Sequence, residues 1–227
     1  VAKRKKARPD DVRPDESQSL PQREWFDGVT CNPALEKAYA SYLKAWRGCT
    51  RCSLHENAEN HVMYRGNLPC DVLFVGEAPG KSENKIGKPF IGPAGRRILD
   101  PLIEEAQRRT SPPKWTYGIT NTVACIPLES EKLRVPTREE QIECLPRLVT
   151  LLGLANPEVV VFLGRTAENS TFHDEILRLL DKKDSRLRLR SCHHIVHPAY
   201  ILRQGGSKTV AYKQAMISLV QFIKRTI

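Results

Sequence analysis

The sequence predicts an α/β fold: a three-layer α/β/α sandwich around a central four-stranded parallel sheet. Two observations carry this. Four short apolar or β-branched segments are separated by stretches with helical periodicity. The clearest of them are continuous apolar runs rather than alternating ones, as strands read when both sheet faces are covered.

The elements follow in chain order. Residues 1–24 begin with a basic run, Lys3 to Lys6, and hold three prolines. Such composition does not offset the entropy of ordering, so a disordered basic and polar tail is expected, with a folded domain over 25–227. Residues 34–47 place Leu35, Tyr39, Tyr42, Leu43 and Trp46 on one helical face, ended by Gly48. The four strands are expected at 71–76 (DVLFVG), 116–121 (TYGITN), 158–164 (EVVVFLG) and 192–197 (CHHIVH). Helices are expected at 94–109, 137–153, 166–182 and about 208–225. Ligands of such sheets bind beyond the carboxyl ends of the strands. Those ends lead here to GEAPG, NTVAC, GRTA and HPAY. The first, second and fourth carry polar or backbone-special residues suited to chemistry.

A net charge of +10 over 227 residues fits an anionic partner, of which nucleic acid is the commonest. No apolar run approaches the ~20 residues of a membrane span, and no secretory pattern is seen. An intracellular protein is therefore expected, in the cytoplasm or nucleoid, or in the nucleus if eukaryotic. Seven cysteines, an odd number, argue against a pure disulfide scaffold. Cys49-x2-Cys52 has metal-ligand spacing, and Cys125 and Cys144 can complete four thiolates. Zinc and an iron–sulfur cluster both satisfy that set. Cys31, Cys70 and Cys192 read as core or incidental thiols.

The loop GEAPGKSENKIGKPFIGPAG (Gly76 to Gly95) resembles the first motif of the family-four, thermophile-type uracil-DNA glycosylases. HPAYILR (His197 to Arg203) resembles their second motif, and TNTVACIP with PTREEQIECLPRL their middle segment. The resemblance runs from about Cys49 to the C-terminus. It implies a DNA glycosylase that hydrolyses the N-glycosidic bond of uracil, or of a related modified pyrimidine, leaving an abasic site. It also implies a [4Fe–4S] cluster on Cys49, Cys52, Cys125 and Cys144. The 18 residues between Cys125 and Cys144 hold no histidine, unlike a relative that becomes trapped on its DNA product.

The resemblance assigns roles that the residue types can fill. His197 is the expected hydrogen-bond donor to the departing base, stiffened by Pro198. Phe90 stacks on the extruded base and Asn121 reads its edge, an amide offering both donor and acceptor. Glu83 is expected to place water, and Glu77 to shape the pocket. Ala78 stands where the best-known branch of the superfamily has a catalytic Asp. Gly76 and Gly80 let the backbone approach the base. Gly92 and Gly95 lead into a helix whose N-terminus favours a phosphate. Tyr200 and Arg203 are expected to wedge into the duplex and meet a phosphate. A catalytically silent DNA-binding adaptor or clamp subunit of the same fold is the alternative, with the N-terminal tail available to a protein partner.

Overall fold

The chain is described by a computed structural model over residues 28–110, 115–182 and 186–227. The tail expected over 1–24 lies outside the described residues. Strand β1 (Val29–Cys31) is followed by α1 (Glu36–Trp46), β2 (Arg65–Leu68) and β3 (Val72–Gly76). The long loop after β3 contains a short helix, α2 (Lys81–Ile86). A π-helical turn (Gly95–Leu99) then runs directly into α3 (Asp100–Thr110). Next come β4 (Tyr117–Asn121), the hairpin β5 (Leu128–Glu129) and β6 (Lys132–Leu133), and α4 (Arg138–Ala155). The rest is β7 (Val159–Leu163), α5 (Arg165–Glu168), α6 (Thr171–Lys182), β8 (Ser191–Ile195), α7 (Pro198–Arg203) and α8 (Val210–Thr226).

The four expected strands pair in parallel in the order β4-β3-β7-β8. The sheet is larger than expected, however. Strand β2 joins β4 antiparallel, and β1 pairs with β2, giving six strands. The two additions are only three and four residues long, and β2 carries Gly and Asn in place of an apolar run, so no periodicity announces them.

Side chains of the sheet alternate between two cores, as the two-residue repeat of a strand requires. Leu73, Val75, Val160 and Phe162 pack on one face with Tyr39 and Leu43 of α1, Leu148 and Leu152 of α4 and Ile176 of α6. Val72, Phe74, Val159, Val161 and Leu163 pack on the other with Leu102 and Ile103 of α3, Ile201 of α7 and Leu219 of α8. This is the expected three-layer arrangement. The helix expected over 166–182 is broken into α5 and α6, because the Ser170 hydroxyl accepts the His173 amide and starts a new helix. Helix α4 starts at a capping box between Thr137 and Glu140 and ends on Asn156 in the left-handed region. Among the described residues no helix is long and apolar enough to cross a membrane.

Candidate active site

The parallel strands β3, β4, β7 and β8 end on one edge, and a pocket of about 390 Å³ opens there. That size suits a small ligand. Glu77, Ala78, Gly80, Glu83, Phe90, Asn121, His197 and Arg203 all line it. Eight residues singled out from three separate sequence motifs thus meet at one place.

His197 caps α7 from the end of the fourth strand. Its Nδ1 accepts the amide of Ala199 at 3.1 Å. A ring nitrogen that accepts cannot carry the proton, so the neutral ring is the Nε2–H tautomer. Burial, aided by the charge of Arg203, pushes its pKa down to about 4. Near neutral pH the ring is therefore an uncharged donor through Nε2. Gly164, at the end of β7, makes room for it. A Cβ there would come within 2.7 Å of the His197 Cβ.

Phe90 is 7% exposed and adopts φ +53°, unusual for a residue with a side chain. Its ring lies 6.0 Å from the His197 ring. The floor beneath is Gly76, where a Cβ would fall 2.5 Å from both the Phe90 ring and Asn121 Oδ1. Asn121 is buried, and its Oδ1 has no hydrogen-bond partner. An unmatched amide acceptor in a pocket wall is costly unless a ligand satisfies it.

Glu83 sits in the first turn of α2 and accepts the Gly92 amide through Oε1 at 2.8 Å. Its carboxylate is clasped between Gly80 and Gly92, where a Cβ would approach its oxygens to 2.8 Å on either side. Glu77 is half-buried. Desolvation raises its pKa, and a hydrogen bond to Thr166 opposes that rise. Gly95 is packed against the Phe90 carbonyl too closely for any side chain. Tyr200 is 46% exposed on α7 and does not line the pocket.

Several contributors were not singled out in the sequence. Arg65 of β2 donates through Nε to the Pro89 carbonyl at 2.7 Å and through Nη2 to that of Phe90 at 3.2 Å. The same Nη2 pairs with Asp100 at 2.6 Å. The strained turn at Phe90 is thus held from β2. Arg134, after the small hairpin, lines the pocket and pairs through both nitrogens with Glu140. Thr166 and Gly164 come from GRTA, the strand end that offered no polar signal beyond its arginine and threonine. In each case the informative fact is a contact across the fold, which spacing along the chain does not display.

The four cysteines also meet. Cys49, Cys52, Cys125 and Cys144 line one small, mainly apolar cavity between the end of α1, the loop after β4 and α4. All four are free of disulfides. Burial pushes the Cys125 thiol up to about 12, reinforced by Cys144 and Cys52. Deprotonating four thiols around one cavity would set like charges against one another, and a cationic centre would relieve that. Among the described residues no group of three His, Cys, Asp or Glu is arranged to hold a single metal ion.

Comparison with known proteins points to one family. The family model of the uracil DNA glycosylase superfamily matches residues 63–221. The chain is 35% identical to the Type-4 uracil-DNA glycosylase of Thermotoga maritima, over 70% of this chain and 81% of that protein. It is 38% identical to the Type-4 enzyme of Pyrobaculum aerophilum, over 52% of this chain and 56% of that one. It is also 38% identical to that of Archaeoglobus fulgidus, over 55% and 59%.

Proposed function

The chain belongs to the uracil-DNA glycosylase superfamily, and from that premise we propose that its pocket hydrolyses the N-glycosidic bond of uracil in DNA, leaving an abasic site. One observation carries the reading most. His197 is half-buried beside Phe90 and Asn121 and fixed as a neutral Nε2–H donor. As the bond from the sugar to the base breaks, its electrons pass to the base and charge develops on the carbonyl oxygen. A preorganised neutral donor stabilises that charge without needing a proton from solvent. The Phe90 ring stacks on the extruded base, a contact worth ~1–3 kcal/mol. The unmatched Asn121 Oδ1 accepts from the base edge, which satisfies its missing bond.

Water completes the reaction: its oxygen bonds to the sugar carbon, and the proton it releases balances the charge left on the departed base. Glu83 holds its carboxylate in place with one oxygen on Gly92, leaving the other to orient that water. Glu77 shapes the wall opposite. Arg203 at the pocket mouth and Tyr200 beside it face the DNA, with Arg203 on a phosphate. Gly92 lines a neighbouring concavity with Arg96 and Arg97, suited to a flanking phosphate. Gly95 serves that surface by allowing the turn under Phe90.

Cys49, Cys52, Cys125 and Cys144 would hold a [4Fe–4S] cluster, as the family resemblance implies. The donor set fits: four free thiols share a cavity, and the positive guanidinium of Arg147 lies against Cys144. When bound, the cluster supplies a cross-link among four chain positions. A brown protein absorbing broadly near ~400 nm distinguishes it from zinc.

The test uses single- and double-stranded DNA bearing uracil, followed by alkali. Strand breakage is expected, and His197→Ala should slow it by about 10²–10³-fold. Tight DNA binding without breakage would instead favour a silent adaptor.

A further inference from the structure

One side chain of the cysteine cavity reaches the strand end that carries Asn121 into the base pocket. Arg147 of α4 is 1% exposed. Its Nε donates to Cys144 Sγ at 3.3 Å, and its Nη2 donates to the Asn121 carbonyl at 2.6 Å. The remaining donors reach Thr120 Oγ1 at 3.3 Å, the Thr122 carbonyl at 3.4 Å and the Tyr42 hydroxyl at 3.5 Å. Among the described residues no carboxylate pairs with it; its neighbours are neutral acceptors and Cys144. A guanidinium keeps its charge when buried, and an unpaired buried charge is costly. The compensating negative charge must come from the cysteine sulfurs. A [4Fe–4S] core of charge +2 with four thiolates carries about −2 overall, and hydrogen bonds to such sulfurs tune the cluster.

We propose that Arg147 is a positioning residue that couples the cysteine-bound cluster to base recognition, holding the end of β4 at Asn121 by the same guanidinium that balances the cluster's charge. Asn121 is the last residue of β4, paired with Gly76 of β3, and its side chain lines the pocket. A shift of the guanidinium toward or away from Cys144 moves the carbonyl that fixes Asn121. Coupling of this kind is reciprocal, so a base bound at Asn121 must also be felt at the cluster. The inference rests on the glycosylase and cluster readings above.

The test compares the full-length protein with Arg147→Lys and Arg147→Met. It reads iron content, cluster midpoint potential with and without free uracil, and kcat and KM on uracil-containing DNA. Uracil is neutral, so it adds no charge of its own. In the parent, saturating uracil is expected to shift the potential. In Arg147→Met, iron content should hold, the potential should move and no longer respond to uracil, and KM should rise about tenfold with kcat little changed. Arg147→Lys restores charge but cannot span both ends. It should recover the parent potential while KM stays high and the uracil response stays lost.

Parent-like KM and potential in Arg147→Met would overturn the coupling. So would activity that falls only in proportion to lost iron. If Arg147→Met does not fold, Arg147→Lys and the parent's response to uracil decide, and an unmoved parent potential overturns the proposal. A parent without iron would remove the cluster reading, and an iron-loaded parent that releases no uracil would remove the glycosylase reading. Either also overturns the coupling, but each is seen in the parent alone.

Discussion

The base pocket and the cysteine cavity lie on neighbouring strand ends, yet they are completed in different ways. In the pocket the protein alone fixes the working groups. Ala199 sets the His197 tautomer, Gly92 holds Glu83, and Arg65 ties down the turn at Phe90. In the cavity no disulfide joins the four thiols; among the described residues Arg147 donates to Cys144, and Arg51 lines the same cavity while paired with Glu143. The pocket is preorganised before its ligand arrives. On the cluster reading, the cavity is completed only when a cationic centre joins its thiols. Substitutions in the first should cost activity, and substitutions in the second should cost stability.

The largest effect that tests this division is Cys125→Ser. Loss of one of four ligands should bleach the protein and lower stability by about 4 kcal/mol or more, the range typical of a lost metal site. Iron analysis and thermal melting check it; a colourless variant that melts like the parent would break the comparison. His197→Ala is the converse. Removing a donor to developing charge should cut kcat by about 10²–10³-fold. Because His197 also caps α7, stability should fall by only about 1 kcal/mol. Colour should be unchanged.

The pH dependence of folding gives a third, slightly smaller test. His197 titrates near 4 when folded and near its ordinary 6.5 when unfolded. Between those values the unfolded chain binds the extra proton, so stability rises with pH. The contribution is complete above about pH 6.5 and is lost as pH falls to about 4. Its size is on the order of 3 kcal/mol. Urea midpoints of the parent and His197→Ala, compared from pH 4 to 7, should cross as pH falls, the parent being the more stable near pH 7 and the less stable, by about 2 kcal/mol, near pH 4. A constant difference would show that the ring is not held neutral.

Much of this was legible in the sequence, and the reason is physical. A strand covered on both faces must be a continuous apolar run, so β3 and β7 were visible from residues 71–76 and 158–164 alone. The last strand was harder, since His193 and His194 interrupt it. His193 stacks on Phe222 at 4.5 Å and so behaves as a flat, packing side chain, while His194 pairs with Glu168 at the surface. Glu83, Phe90, Asn121 and His197 were found because each sits in a distinctive motif at a strand end. Arg65 and Arg147 were not, because nothing local separates a buried structural arginine from the many that face water. Arg65 meets Asp100 only because β2 folds back along β4, a pairing too short to leave a pattern. The hairpin β5–β6 turns through Ser130 and Glu131, both at positive φ, without the Gly or Asn that usually marks such a turn.

Arg65 also offers the mildest and most discriminating substitution. Arg65→Met keeps an apolar stem but removes the bonds to the Pro89 and Phe90 carbonyls and leaves Asp100 without its partner. Hydrogen bonds involving a charged group are worth about 1.5–3 kcal/mol, and partial exposure here favours the lower part, about 2 kcal/mol. The loss should appear mainly in base binding. Phe90 holds φ +53° only while its carbonyl is tethered, and once released the turn relaxes toward ordinary backbone angles. The ring then no longer waits in stacking position, so KM on uracil-containing DNA should rise more than kcat falls. Arg65→Lys, with one ammonium for three acceptors, should fall between. If Arg65→Met leaves KM unchanged, the turn is held by its own packing on Gly76 and Gly95. The protein would then fix its pocket through close backbone contact rather than through Arg65 of β2.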